Sequence, residues 1–430
     1  MNDRMGYAIN GATQNSLEAL ERGFHEFRCY IDDPASTVER ALAESPALVM
    51  GHVFRGYLHL MGTEPAGLPV ARMAYESAKT LSANDRERRH VEAVRLLTEG
   101  QWRAAGLALE DLSVDYPLDA LALQAGHLID FFVGDSRMLR DRIARSLPYW
   151  EKSMPGYHAV LGMYAFGLEE TGAYARAERY GRFSVELEPR DGWGQHAVAH
   201  VMEMQGRRKE GVEWMRNSRE SWARDSFFAV HNFWHLALFH MELGEIEEAL
   251  KLYDGPIYGK QSTAILEMID ASSLLWRLHL MGANVVDRFR TLADNWAPMA
   301  NAGNYAFNDM HAMMAFVVGN RPDEAQAVVE AQQLAMTGAG DNAAFTREVG
   351  HPATRAILAF GDGNYSEAVR LLRSIRSYSH RFGGSHAQRD LIDLTIIEGA
   401  RRSGQRRFAD ALRFEREQAR GEGSKTQHAA

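Results

Sequence analysis

Residues 157–191 read YHAVLGMYAFGLEETGAYARAERYGRFSVELEPRD, and their pattern decides the fold. An apolar helical segment runs to a glycine, Gly172, and a second amphipathic segment follows until Pro189. Glycine at the turn closes the first helix in the left-handed conformation without a Cβ penalty. Ala177, five residues on, is small enough to let the two helices approach closely. Pro189 stops the second helix, because proline cannot donate the next amide hydrogen bond.

The same punctuation recurs outward in both directions. Turn glycines fall at Gly62, Gly100, Gly134, Gly172, Gly206, Gly244, Gly282, Gly319, Gly363 and Gly404, at intervals of 38, 34, 38, 34, 38, 38, 37, 44 and 41. A small residue follows five positions later at Ala105, Gly211, Ala249 and Ala368 as well. Such a period in a chain of this length marks a repeat array. An array grows in one direction without adding domains, so the 430 residues need not be divided into two or three globules. Two helices are expected before Gly62, then one hairpin per glycine to about residue 415. The polar stretch 416–430 reads as a frayed, disordered tail. No strand signal of note is present.

Net charge is 48 − 57 = −9, and the pI is near 6.0. That balance disfavours a nucleic-acid surface. No apolar run reaches membrane-spanning length. The N-terminal segment lacks the basic and apolar regions of a signal peptide. The single cysteine, Cys29, allows no intrachain disulfide and suits a reducing compartment. A cytoplasmic protein is expected.

The unit 157–191 resembles a tetratricopeptide repeat, with Gly172, Tyr174, Ala177 and Pro189 at matching offsets. Longer stretches resemble the tetratricopeptide repeat protein 38 family: PALVMGH (46–52), RERRHVEA (86–93), VAHVMEM (198–204), HNFWHLAL (231–238), FNDMH (307–311) and GGSHAQRD (383–390). The resemblance implies an all-α, tetratricopeptide-repeat-like α-solenoid superhelix of about ten hairpins, spanning 1–415 as one domain. It assigns no reaction.

In such an array the first helix of each hairpin lines a concave groove. The resemblance, combined with helix geometry, then places His52, His90, Gln124, His196, Trp234, Ser272 and Asp309 at equivalent groove positions ten residues before each turn. His196 and His200 are four apart on one such helix, and His231 and His235 are four apart on the next. Neighbouring helix axes are about 8–10 Å apart, so four imidazoles could face one volume.

Three functions fit this pattern. A divalent metal (zinc, iron or nickel) could be held by His196, His200, His231 and His235, with Glu203, Asp270 or Asp309 completing or orienting the shell. No HExxH motif occurs. Alternatively, His196, His235 and Asp309 supply metal-free acid–base chemistry for hydrolysis or elimination. The substrate, a small polar molecule, would contact Trp234, Asn232, Asp270, Gln388, Arg389, Asp390, His52 and His90, with Arg389 meeting an anionic group if the last repeats curl back. The third function is an interaction scaffold holding a peptide in the groove. A carboxylate clamp is disfavoured, because the clamp positions hold no Lys or Arg. Against all three stands the plain alternative that buried histidines are satisfied core hydrogen-bonders.

Overall fold

A computed structural model describes residues 1–420. It is all-helical, with helices packed in adjacent pairs. Among the described residues the only β pairing is two isolated bridges, Asn2 to Ala8 and Ile31 to Ser226. No helix in that span is long and apolar enough to cross a membrane.

The quoted unit folds as the helices Tyr157–Glu169 and Tyr174–Leu187. Between them Gly172 takes φ 79°, and Ala173 N donates to Leu168 O at 2.8 Å. That bond satisfies a carbonyl the helix end would otherwise leave unpaired. Gly100, Gly134, Gly206, Gly244, Gly282, Gly363 and Gly404 are left-handed too, with φ between 64° and 88°.

Two of the ten expected turn glycines behave differently. Gly62 is right-handed at φ −78°, and Thr63 takes the positive φ of 55°. Gly319 ends its helix, and Asn320 carries φ 59°. Glycine serves close approach there, since a Cβ at 319 would lie 3.0 Å from Ala293 Cβ and 3.1 Å from Phe289 O.

Helix count and spacing also depart from expectation at three places. The chain forms Gln14–Cys29, Pro34–Glu44 and Val49–Met61 before Gly62, three helices rather than two. Thr13 and Asp33 cap the first two, and Pro34 opens the second where its missing N–H costs nothing. The interval of 44 before Gly363 is filled by a π turn, Thr346–Gly350, ahead of helix His351–Gly361. At the other end, helix Arg406–Ala419 runs past the expected end of the array at 415. Arg416 and the buried Arg420 hold it there through carboxylates described below. The rest of the expected tail, 421–430, lies outside the described residues.

Contacts divide the chain into two compact units, Met1–Val198 with Ser218–Ala229, and Ala199–Asn217 with Val230–Ala430. In the first unit, Tyr30 after the first helix stacks on Trp193 at 5.5 Å, and Asp32 N donates to Asp225 O at 2.6 Å. In the second, helix His386–Arg402 packs back on helix Ile265–Leu280. There Trp276 Nε1 donates to Thr395 Oγ1 at 2.9 Å, and Arg277 Nη2 donates to Ala387 O at 2.6 Å. The positions expected to line an open groove are buried. His90, Trp234 and Ser272 are 0% exposed, and His52, the most exposed of the equivalent positions that pack as core, reaches 9%.

The small residue after each turn is used for packing. Gly211, on helix Arg208–Asn217, lies against the Phe239 ring, and a Cβ there would fall 2.4 Å from Phe239 Cζ. Gly211→Ala is therefore expected to destabilise by about 1–3 kcal/mol through overpacking. Helix propensity acts in the opposite direction by about 1 kcal/mol. A urea midpoint that is unchanged or raised would contradict the packing argument.

Candidate metal centre

Asp191 opens the helix Gly192–Met204 by accepting from Gly194 N at 2.9 Å. One face of this helix then presents His196, His200 and Glu203. That helix turns at Gly206 into its hairpin partner Arg208–Asn217, and helix Ala229–Glu242 presents His231, Asn232, Trp234 and His235. Residues four apart on a helix share a face, so each HxxxH pair points one way.

The ring nitrogens of His200, His231 and His235 lie within 4.8 Å of one another. His200 and His235 rings are 4.5 Å apart between centroids, and His231 and His235 rings 5.0 Å apart. His196 precedes His200 by four residues on helix Gly192–Met204 and belongs to the first unit. Its ring also packs on Phe166 at 5.3 Å and Trp193 at 4.9 Å.

Two of these imidazoles are oriented by carboxylates. His231 Nδ1 is 2.9 Å from Asp270 Oδ1, and His235 Nδ1 is 3.1 Å from Glu203 Oε2. A carboxylate accepts the Nδ1 proton, so Nε2 carries the lone pair that a metal uses. Asp270 and Glu203 each hold one of these imidazoles through its Nδ1. Burial, with His231 and Arg277 adding to it, holds the His235 pKa well below its ordinary value. Neutral imidazole is the form that ligates. Burial also raises the Glu203 carboxyl, against the pull of Arg420 and Arg277.

Trp234 closes one side. It stacks on His231 at 5.2 Å and meets His235 edge-on at 4.8 Å. The Arg277 guanidinium lies 5.3 Å above the same indole. Asn232 is fully buried beside them.

The remaining expected site residues are used elsewhere. Asp309 does not belong to the imidazole set, and its carboxylate accepts from Gln332 Nε2 at 3.2 Å. Gln388 completes a capping box with Ser385, its Oε1 accepting from Ser385 N at 3.0 Å. Arg389 donates to the carbonyl of Gly384. Asp390 is paired with Arg416 at 2.7 Å and Arg420 at 2.9 Å, so it is a buried structural anion. His52 Nε2 meets Pro46 O at 2.8 Å. His90 bridges Tyr57 Oη at 3.0 Å and Asp119 Oδ2 at 3.0 Å, within the first unit. His52, His90 and Asp309 follow from repeat register, which sets a helix face but not the partner that face meets, whereas Gln388, Arg389 and Asp390 come from the stretch GGSHAQRD.

Sequence reasoning missed Arg277, a buried cation inside the apolar run SSLLWRLHL (272–280), and Arg420. A lone arginine in such a run is itself a signal, since a buried guanidinium requires partners. No family model matches this sequence.

Proposed function

We propose that this chain is a metal-dependent protein of the hydrolase or lyase type, acting on a small polar molecule in the cytoplasm. It would be built on a tetratricopeptide-like superhelix similar to the tetratricopeptide repeat protein 38 family. His200, His231 and His235 hold the ion, and His196 stands one turn back on the helix of His200. The observation that carries this reading is the pair of carboxylate-anchored imidazoles, His231 with Asp270 and His235 with Glu203, turned toward a third imidazole. Core histidines need hydrogen-bond partners, but they do not need two neighbours with Nδ1 held in the same way beside a third ring.

Imidazole donors suit zinc, iron or nickel. The ion would supply Lewis acidity toward a carbonyl or phosphoryl oxygen. The His231 side chain is 15% exposed whereas that of His235 is 0%, so the centre is reached from the His231 side.

Elemental analysis of protein purified with added zinc, iron or nickel tests the reading. His231→Ala combined with His235→Ala is expected to remove one equivalent of bound ion. Asp270→Asn is expected to weaken binding about 10–100-fold. The same ion content in the double variant as in the parent, with helical circular dichroism intact, would refute the centre.

A further inference from the structure

We propose a second ion site in the first unit, formed by His25, Cys29 and His158, that takes a zinc-like cation with its open position toward a cavity. His25 and Cys29 lie one turn apart in the last turns of helix Gln14–Cys29, and His158 is the second residue of helix Tyr157–Glu169. One ligand atom from each lies within 4.8 Å of the others.

Cys29 Sγ is 3.8 Å from His25 Nδ1. A tetrahedral zinc ion, with bonds of about 2.3 Å to sulfur and about 2.0–2.1 Å to nitrogen, holds those two atoms about 3.6 Å apart. The observed separation is therefore close to that between two ligands of one ion.

His158 has the support a ligand needs. Its Nδ1 is 2.7 Å from Asp191 Oδ2, which leaves Nε2 to carry the lone pair. Asp191 is fully buried, and it is fixed in turn by Ser184 Oγ at 2.9 Å and Gly194 N at 2.9 Å. A thiolate at Cys29 and a carboxylate at Asp191 would balance the two positive charges of the ion.

His25 and His158 also form part of the wall of a cavity of about 330 Å³, together with Arg28, Lys152, Tyr157 and Glu188. Three protein ligands beside such a space leave the fourth position for water or a small molecule. That is the arrangement of a reactive zinc site rather than a closed structural one. A buried cysteine with a nearby histidine is commonplace in a core.

Cobalt(II) alone, added to the reduced full-length chain, is the test. Cys29 is the only cysteine in the sequence, so a thiolate-to-cobalt charge-transfer band reports this site and no other. The band is expected to saturate at one equivalent of cobalt in the His231→Ala, His235→Ala double variant, where the imidazole centre cannot compete, and to be displaced by zinc. Cys29→Ser should abolish it, and Asp191→Asn should weaken cobalt binding about 10–100-fold. His25→Gln, at a partly exposed position, should also abolish it and guards against a folding defect in the cysteine variant. The His231→Ala, His235→Ala double variant should keep the band, so this site and the imidazole centre succeed or fail separately. No band at saturating cobalt in folded, reduced protein overturns the proposal, as does a band that survives Cys29→Ser.

Discussion

Asp390→Ala is expected to destabilise the second unit by about 3–5 kcal/mol at pH 7, the usual cost of stripping one partner from a buried ion pair. Asp390 receives Arg416 Nε at 2.7 Å and Nη2 at 2.8 Å, and Arg420 Nη2 at 2.9 Å. The Arg420 side chain is only 3% exposed. Without Asp390, two guanidiniums remain with Glu242 and, at 3.6 Å, Glu203. The cost is that of leaving positive charge uncompensated, and says nothing about whether an apolar replacement of the whole network would be worse.

The pH dependence has a definite sign. Burial alone would raise the Asp390 carboxyl, but Arg420 and Arg416 overcome it and hold the group well below its ordinary range. A depressed carboxylate adds stability above its unfolded pKa of about 3.9, and that stability is lost as pH falls through the folded value. Asp390→Asn should therefore differ from the parent most at pH 7 and least in acid. Urea denaturation at pH 7 and at about pH 2 measures this, because the stabilisation is still largely present at pH 4. A loss for Asp390→Ala below about 1 kcal/mol would show the network to be solvated and weak.

That network also shows where sequence reasoning stops. Turn glycines and the small residues after them are local, because a left-handed φ or a missing Cβ leaves a mark at one position. Gly172 and Gly211 could be read for that reason. Gly319 could not be assigned correctly, because close approach to Ala293 and left-handed closure call for the same residue. The return of helix His386–Arg402 onto helix Ile265–Leu280 depends on pairs more than 100 residues apart, such as Arg277 with Ala387. Nothing local announces such a pair, so residues expected to line an open groove are core instead. The imidazole set was legible because HxxxH fixes a face and the hairpin interval brings the next face beside it. Cys29 went unconnected because its partner His158 lies on a distant helix. His25, four residues earlier, carries the same spacing as the HxxxH pairs and could have been noticed.

Asp309→Asn is expected to stabilise the protein by about 1–3 kcal/mol at pH 8 while leaving it no more stable than the parent at pH 4. Burial raises the Asp309 carboxyl to about 7, with the hydrogen bond from Gln332 pulling it down. The unfolded chain releases this proton near pH 3.9. Between about pH 4 and pH 7 the native state binds more protons than the unfolded state, so stability falls as pH rises through that window and levels off above it. Asparagine has the shape of aspartate, keeps an oxygen for Gln332 Nε2 at 3.2 Å and carries no charge to desolvate. Its amide needs a new acceptor, a cost of about 1 kcal/mol set against the larger relief. Gln332 is itself fixed, donating to Thr354 Oγ1 at 3.0 Å and paired with His351 Nδ1 at 3.2 Å. Denaturation midpoints of parent and variant from pH 4 to pH 8 should therefore diverge toward the alkaline end. A variant less stable than the parent at both extremes would mean that Asp309 is ionised in the fold and paired with a cation, and the burial argument would fail.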